Sequence, residues 1–216
     1  MNPFAEILIA SAVASALAAI FAAYRNRRLY SVLKPLTTIL IIGVAVASAR
    51  HSGFYQIAMI AALGLCLLGD ILLLDDATFL WGLVSFLFGH VCFIAGFTYE
   101  NSISGGILAG AWALALLAAY GVAIYLLLSP GLQKMKLPVA FYMAAILVMS
   151  WQAITFGINI RGAAWLASAG SLLFVSSDSI LAFNRFRKNF YFAELLVLST
   201  YWTSLILMAL SISAVK

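Results

Sequence analysis

Residues 54–76 read FYQIAMIAALGLCLLGDILLLDD, and this stretch decides what kind of protein the chain forms. From Phe54 to Leu74 the lone charged side chain is Asp70. The run is long enough to cross the bilayer hydrocarbon as a helix, which takes about 20 apolar residues. Asp75 and Asp76 then close it in a short polar turn. Outward from this stretch, apolar runs and polar breaks alternate, predicting helices at 4–23, 33–49, 54–74, 78–97, 104–128, 137–158, 162–184 and 190–214. Of 216 residues 65% are hydrophobic and 9% charged, against about 25% charged in a soluble domain. The expectation is an all-α polytopic membrane protein with eight transmembrane helices, 1–216 forming a single membrane domain.

The first run lacks a basic segment before it and continues to Ala23 before reaching Arg25, Arg27 and Arg28, so it is expected to stay as a span and not to be cleaved as a leader. The net charge of +5 fits topology signalling, and no nucleic-acid partner is expected. Alternate loops divide the basic residues unequally. Arg25, Arg27, Arg28, Lys34, Lys134, Lys136, Arg185, Arg187 and Lys188 fall on one side, and Arg50, Arg161 and Lys216 on the other. The positive-inside rule puts the first group in the cytosol and both termini outside it. An integral multi-pass location is expected, in a bacterial inner or cell membrane. Tyr24, Tyr30, Tyr55, Tyr99 and Tyr191 lie near predicted helix ends, as an interfacial aromatic belt would. Cys66 and Cys92 read as buried thiols. Lys34-Pro35-Leu36 and Leu137-Pro138-Val139 each open a predicted span, and Gly69-Asp70-Ile71-Leu72 resembles Ser177-Asp178-Ser179-Ile180 at a nearly equal offset. These pairings suggest two parallel four-helix halves, 1–100 and 101–216.

Ionisable groups in hydrocarbon are costly and face a cavity or a partner. At about 1.5 Å per residue, Asp70 and Glu194 lie about 6 Å in from the basic side and Asp178 about 9 Å. Lys34 starts its span at the same side. His90, Trp151, Tyr201 and Trp202 lie deeper, and Glu194, Tyr201, Ser204 and Met208 share a helix face. The track suits an amphiphile with a charged head and an apolar tail. Each group has a structural alternative: an ion pair between Lys34 and Asp70, Asp178 held by Arg185, Glu194 held by Arg187 or Lys188, and His90 as a packing residue. Asp75 and Asp76 read as solvated, and Trp81, Trp112 and Trp165 as packing or lipid contacts.

Several chemistries lack their residues. Leu67-Leu68-Gly69-Asp70 departs from the Gly-x-Gly-Asp of intramembrane aspartyl proteases. A zinc hydrolase needs about three or four ligands, yet the chain has two histidines and His51 falls in an outer loop. No Gly-x-Ser-x-Gly elbow or P-loop occurs.

Lys34-Pro35-Leu36, the block Leu68-Gly69-Asp70-Ile71-Leu72-Leu73, Gly82 and Phe86 ahead of Gly89-His90, Ser177-Asp178 with Leu181-Ala182, and Tyr201 together resemble the YhhN-like lysoplasmalogenase family over nearly the whole chain. Phe93 stands where a tyrosine is common, and Trp202-Thr203-Ser204 replaces the usual alanine and glutamine. The resemblance implies hydrolysis of the vinyl ether of a lysoplasmalogen, a lysophospholipid, to a fatty aldehyde and a glycerophospho-alcohol. Protonating the β-carbon makes an oxocarbenium ion that water captures, which asks for one carboxylic acid and one carboxylate, as in glycosidases. Asp178, counted deeper, is the expected acid, and Asp70 the carboxylate beside the cation. Lys34 at a helix N-terminus would bind phosphate or hold Asp70. His90, Trp151, Glu194, Tyr201 and Trp202 would line the substrate's path or position water. No cofactor is required. Membrane carboxylates also serve as proton relays, so a proton-coupled carrier of a small amphiphile is the second reading.

Overall fold

Hydrocarbon offers backbone N–H and C=O groups no partner, so a chain this apolar must satisfy them within its own helices. The computed structural model describes residues 3–49 and 53–215, all helix and turn, with no strand among the described residues. Arg50 and Lys216, which entered the outer-side charge count, lie outside the described residues, as do His51 and Ser52.

The helices are α1 (Pro3–Arg25), α2 (Arg27–Ser48), α3 (Phe54–Leu72), α4 (Phe79–Ser104), α5 (Ala111–Leu132), α6 (Lys136–Ile160), α7 (Trp165–Phe186) and α8 (Ala193–Ser211). By length and apolarity they form seven membrane-length runs, because Ala111–Ile160 counts as one. Within that run a 3-10 turn, Gln133–Met135, separates α5 from α6, with Gln133 in the left-handed region at φ 45°. Large apolar side chains such as Leu17, Leu116, Leu126 and Phe141 point outward, as expected where lipid takes the place of water. The chain is an integral, multi-pass helical membrane protein.

Two boundaries differ usefully from expectation. α2 begins at Arg27, well before residue 33, because the Asn26 side chain caps it by accepting from Leu29 N at 3.1 Å. Pro35 is therefore inside α2, and its missing N–H leaves the Ser31 carbonyl without its usual partner. α4 runs on to Ser104 because Asn101, which reads as a loop residue, is buried and donates to Gln152 O and Oε1, both at 3.0 Å. α5 accordingly starts later, after a turn in which Gly106 has φ +99°.

α3 packs along α4, α7 along α8 and α1 along α2, while α4 with α6 and α2 with α8 tie these pairs together. The α3–α4 seam is built on small residues. A Cβ at Gly69 would stand 2.5 Å from the Phe86 ring, and one at Gly89 3.3 Å from Ala62 O. Close helix approach of this kind is how membrane helices gain packing energy. The ends of α1, α3, α5 and α7 and the starts of α2, α6 and α8 meet at one end of the bundle. Tyr24 OH donates to Tyr191 O there at 3.0 Å, and Arg27 Nη2 to Leu74 O at 3.2 Å. Tyr55 is no belt residue: it is fully buried at the opposite end, hydrogen-bonded to Ser211 at 2.9 Å. Cys66 is buried and Cys92 half-buried, and both are free thiols.

Candidate active site

At the basic end, α2, α3, α7 and α8 bring polar groups together around a cavity of about 430 Å³. Asp70 sits in the last turn of α3, where α2 and α8 cross it. Its Oδ2 accepts from Thr38 Oγ1 at 2.6 Å and from Tyr201 OH at 2.9 Å, and its Oδ1 lies 3.7 Å from Lys34 Nζ. Lys34 and Thr38 are one turn apart on α2, so they present to the same spot on α3. Three donors thus converge on Asp70, which is 1% exposed, and the ion pair expected as an alternative role for Lys34 is present. Asp178 on α7 is half-buried, and its Oδ2 accepts from Tyr142 OH of α6 at 2.5 Å.

An aromatic chain connects the two carboxylate shells. The Tyr201 ring is edge-on to Phe174 at 5.5 Å, Phe174 to His90 at 4.9 Å, and His90 to Tyr142 at 5.2 Å. His90 therefore packs behind Tyr142, with neither ring nitrogen hydrogen-bonded. The exposed rim carries Arg27, Asp76, Arg185 and Glu194, and the inner wall is apolar, with Ile124 and Leu128 of α5 facing Val139, Met143 and Ile146 of α6.

Of the residues singled out in the sequence, Lys34, Asp70, Asp178, Glu194 and Tyr201 line this one cavity, while His90, Trp151 and Trp202 do not. Trp151 packs with Ala113, Leu117 and Ile154 on the outer side of α6. Trp202 is buried beside Tyr201 at 6.4 Å between ring centroids. Arg185 pairs with Asp76 at 2.8 Å, not with Asp178. Glu194 accepts from Tyr30 OH at 3.5 Å instead of from Arg187 or Lys188. Asp76 is thus paired, and Asp75 caps the short helix after it by accepting from Ala77 N at 3.0 Å. Sequence reasoning missed Thr38, Tyr142, Tyr30 and the rim arginines. Thr38 was reachable as the residue one turn beyond Lys34, whereas nothing in the sequence marks Tyr142 as the partner of Asp178.

Fold and cavity define a multi-pass helical membrane protein with an amphiphile-shaped site: charged rim, two carboxylates, apolar interior. The chain belongs to the YhhN family, whose model matches residues 29–212. Lysoplasmalogenase TMEM86B of Homo sapiens is 30% identical over 160 residues, 74% of this chain and 65% of its own length. That of Rattus norvegicus is 31% identical over 159 residues, 74% and 63%. Lysoplasmalogenase TMEM86A of Homo sapiens is 32% identical over 152 residues, 66% and 60%. The match spans under two thirds of each relative's own length. No solved structure matches the chain.

Proposed function

We propose that this chain is a lysoplasmalogenase-type ether hydrolase, splitting the vinyl ether of a lysoplasmalogen into a fatty aldehyde and a glycerophospho-alcohol. The observation that carries the reading is the placement of Asp70 and Asp178, with unequal sets of donors, on one cavity with a polar rim and an apolar interior. The names of the relatives support the same reaction.

Asp178, with a single phenol donor, serves as the acid and passes its proton to the β-carbon of the vinyl ether. The oxocarbenium ion forms beside Asp70, whose negative charge is held by Lys34, Thr38 and Tyr201 through charge-assisted contacts. Water adds to the cationic carbon, and its proton returns to Asp178. The resulting hemiacetal collapses, the glycerol oxygen takes the hydroxyl proton, and one water has been consumed per ether cleaved. The division of labour is that of paired carboxyls in glycosidases. In this reading eight helices cross the membrane, the basic end faces the cytosol, both termini lie outside it, and residues 1–100 and 101–216 form the two halves.

Purified protein in detergent should release aldehyde from a lysoplasmalogen, detected by mass spectrometry. A carrier would release none. Asp70→Asn and Asp178→Asn should each lower turnover at least about 10²-fold, the low end for a positioned acid or base, while Glu194→Gln does less. Near-normal rates in both Asp variants would refute the carboxylate mechanism.

A further inference from the structure

The turn between α3 and α4 stands on the rim of the cavity, held by two arginines from helices far apart in sequence. Arg27, at the start of α2, donates from Nη2 to Leu74 O at 3.2 Å. Arg185, near the end of α7, donates from Nη1 to Asp76 Oδ1 at 2.8 Å, and its guanidinium lies 4.7 Å from the centroid of the Phe79 ring. A guanidinium carries five N–H donors in a planar fork that matches a phosphate, and each of these has one donor engaged. Both arginines are exposed and line the cavity together with Asp76. Lys34 is different: it is buried and committed to Asp70, so an entering anion meets the arginines first.

We propose that Arg27 and Arg185 clamp the phosphate of a zwitterionic lysophospholipid headgroup. Asp76, released when Arg185 turns to the phosphate, receives the headgroup's ammonium. The pair Arg185–Asp76 is exposed, with side chains 43% and 80% accessible, and exposed ion pairs are weak, so the exchange of partners costs little. After the exchange Arg27, Arg185 and Asp76 each face an opposite charge. The proposal rests on the reading of the cavity as a lysophospholipid site and adds which groups recognise the head.

The test uses three ligands sharing one saturated alkyl ether chain: an alkylglycerophosphocholine, the corresponding alkylglycerophosphate, and the alkylglycerol. Their affinities are measured for the wild-type protein and for R27Q, R185Q and D76N in non-ionic detergent. R27Q and R185Q should each weaken both phosphate-bearing ligands about tenfold, the scale of one charge-assisted hydrogen bond, and leave the alkylglycerol unchanged, which also reports an intact fold. D76N should bind the alkylglycerophosphate more tightly, because Arg185 is freed, and lose the preference for phosphocholine. R185K, which keeps the charge without the fork, should recover only part of the affinity. Unchanged ratios among the three ligands in R27Q and R185Q, or equal losses for all three, would overturn the clamp. Because none of the ligands contains a vinyl ether, binding is read apart from turnover: headgroup discrimination here, with no aldehyde released from a lysoplasmalogen in the separate assay, would sink the hydrolase reading and leave this one standing. Normal hydrolysis with headgroup-blind arginine variants would do the reverse.

Discussion

At the scale of single residues the site turns on how two chemically identical side chains are surrounded. Asp70 has an ammonium and two hydroxyls, and Asp178 has one phenol. Losing the single donor should therefore matter more than losing one of three. Tyr142→Phe should lower kcat about 10- to 100-fold with KM little changed, and Thr38→Val by less than about tenfold, on the scale of a buried hydrogen bond's contribution. Aldehyde-release kinetics on both variants decide it, and equal small effects would mean that the donor shells do not distinguish the carboxylates. The carboxylates were legible in the sequence because a charge inside an apolar run is costly wherever it sits. Of their donors Lys34 and Tyr201 were singled out, but Thr38 and Tyr142 were not. A hydroxyl inside a membrane helix has several cheap alternatives, including its own backbone, as Thr37 shows by donating to Leu33 O at 2.9 Å. Trp151 and Trp202 were expected along the substrate's path from their place in the helices, but neither lines the cavity, since position along a helix says nothing about which neighbour a face meets.

At the scale of helices, small residues fix how closely α3 and α4 approach, and two glycines on α3 make opposite predictions. A Cβ at Gly69 would meet the Phe86 ring, which is itself wedged edge-on against Phe174 and Tyr201. Gly69→Ala should cost about 1–3 kcal/mol of stability by overpacking, and should also slow turnover, since Phe86 and Tyr201 both line the cavity. A Cβ at Gly64 meets nothing within 4 Å, so Gly64→Ala should be neutral or stabilising by up to about 1 kcal/mol from helix propensity. Thermal unfolding of both variants in detergent tests the pair, and similar melting shifts would show that the seam does not constrain the site. The helices themselves were readable from apolar runs, while their ends were not. The cap at Asn26 lies inside a basic stretch that looks like loop, and Asn101 extends α4 only because Gln152 on another helix receives it.

At the scale of the whole molecule, the contacts that gather the site pair α2 with α3 and α6 with α7. Each time, the first helix supplies a hydroxyl to an aspartate on the second: Thr38 to Asp70, and Tyr142 to Asp178. The spacing of Pro35 and Pro138 hinted at such a correspondence, but no spacing could show that both aspartates line one cavity. The unequal spread of Lys and Arg predicts that this end is cytosolic. A cysteine at Asn189 should react with an impermeant thiol reagent only from the cytosolic side, and one at Ser102 only from the other. The reverse pattern would invert the orientation and leave the site's geometry untouched.

The place of α5 has a mechanical corollary. It packs against α6 and α7 at the margin of the bundle, yet Tyr120, Ile124 and Leu128 give it one side of the cavity. Displacing it disturbs fewer packed neighbours than displacing α3 or α8, so local loosening is cheapest there. The cavity therefore has one flank, α5, less tightly packed than the others. On the proposed lysophospholipid reading, a single-chain lipid resident in the leaflet would meet that flank sideways, its tail entering without leaving hydrocarbon while the head travels along the interface.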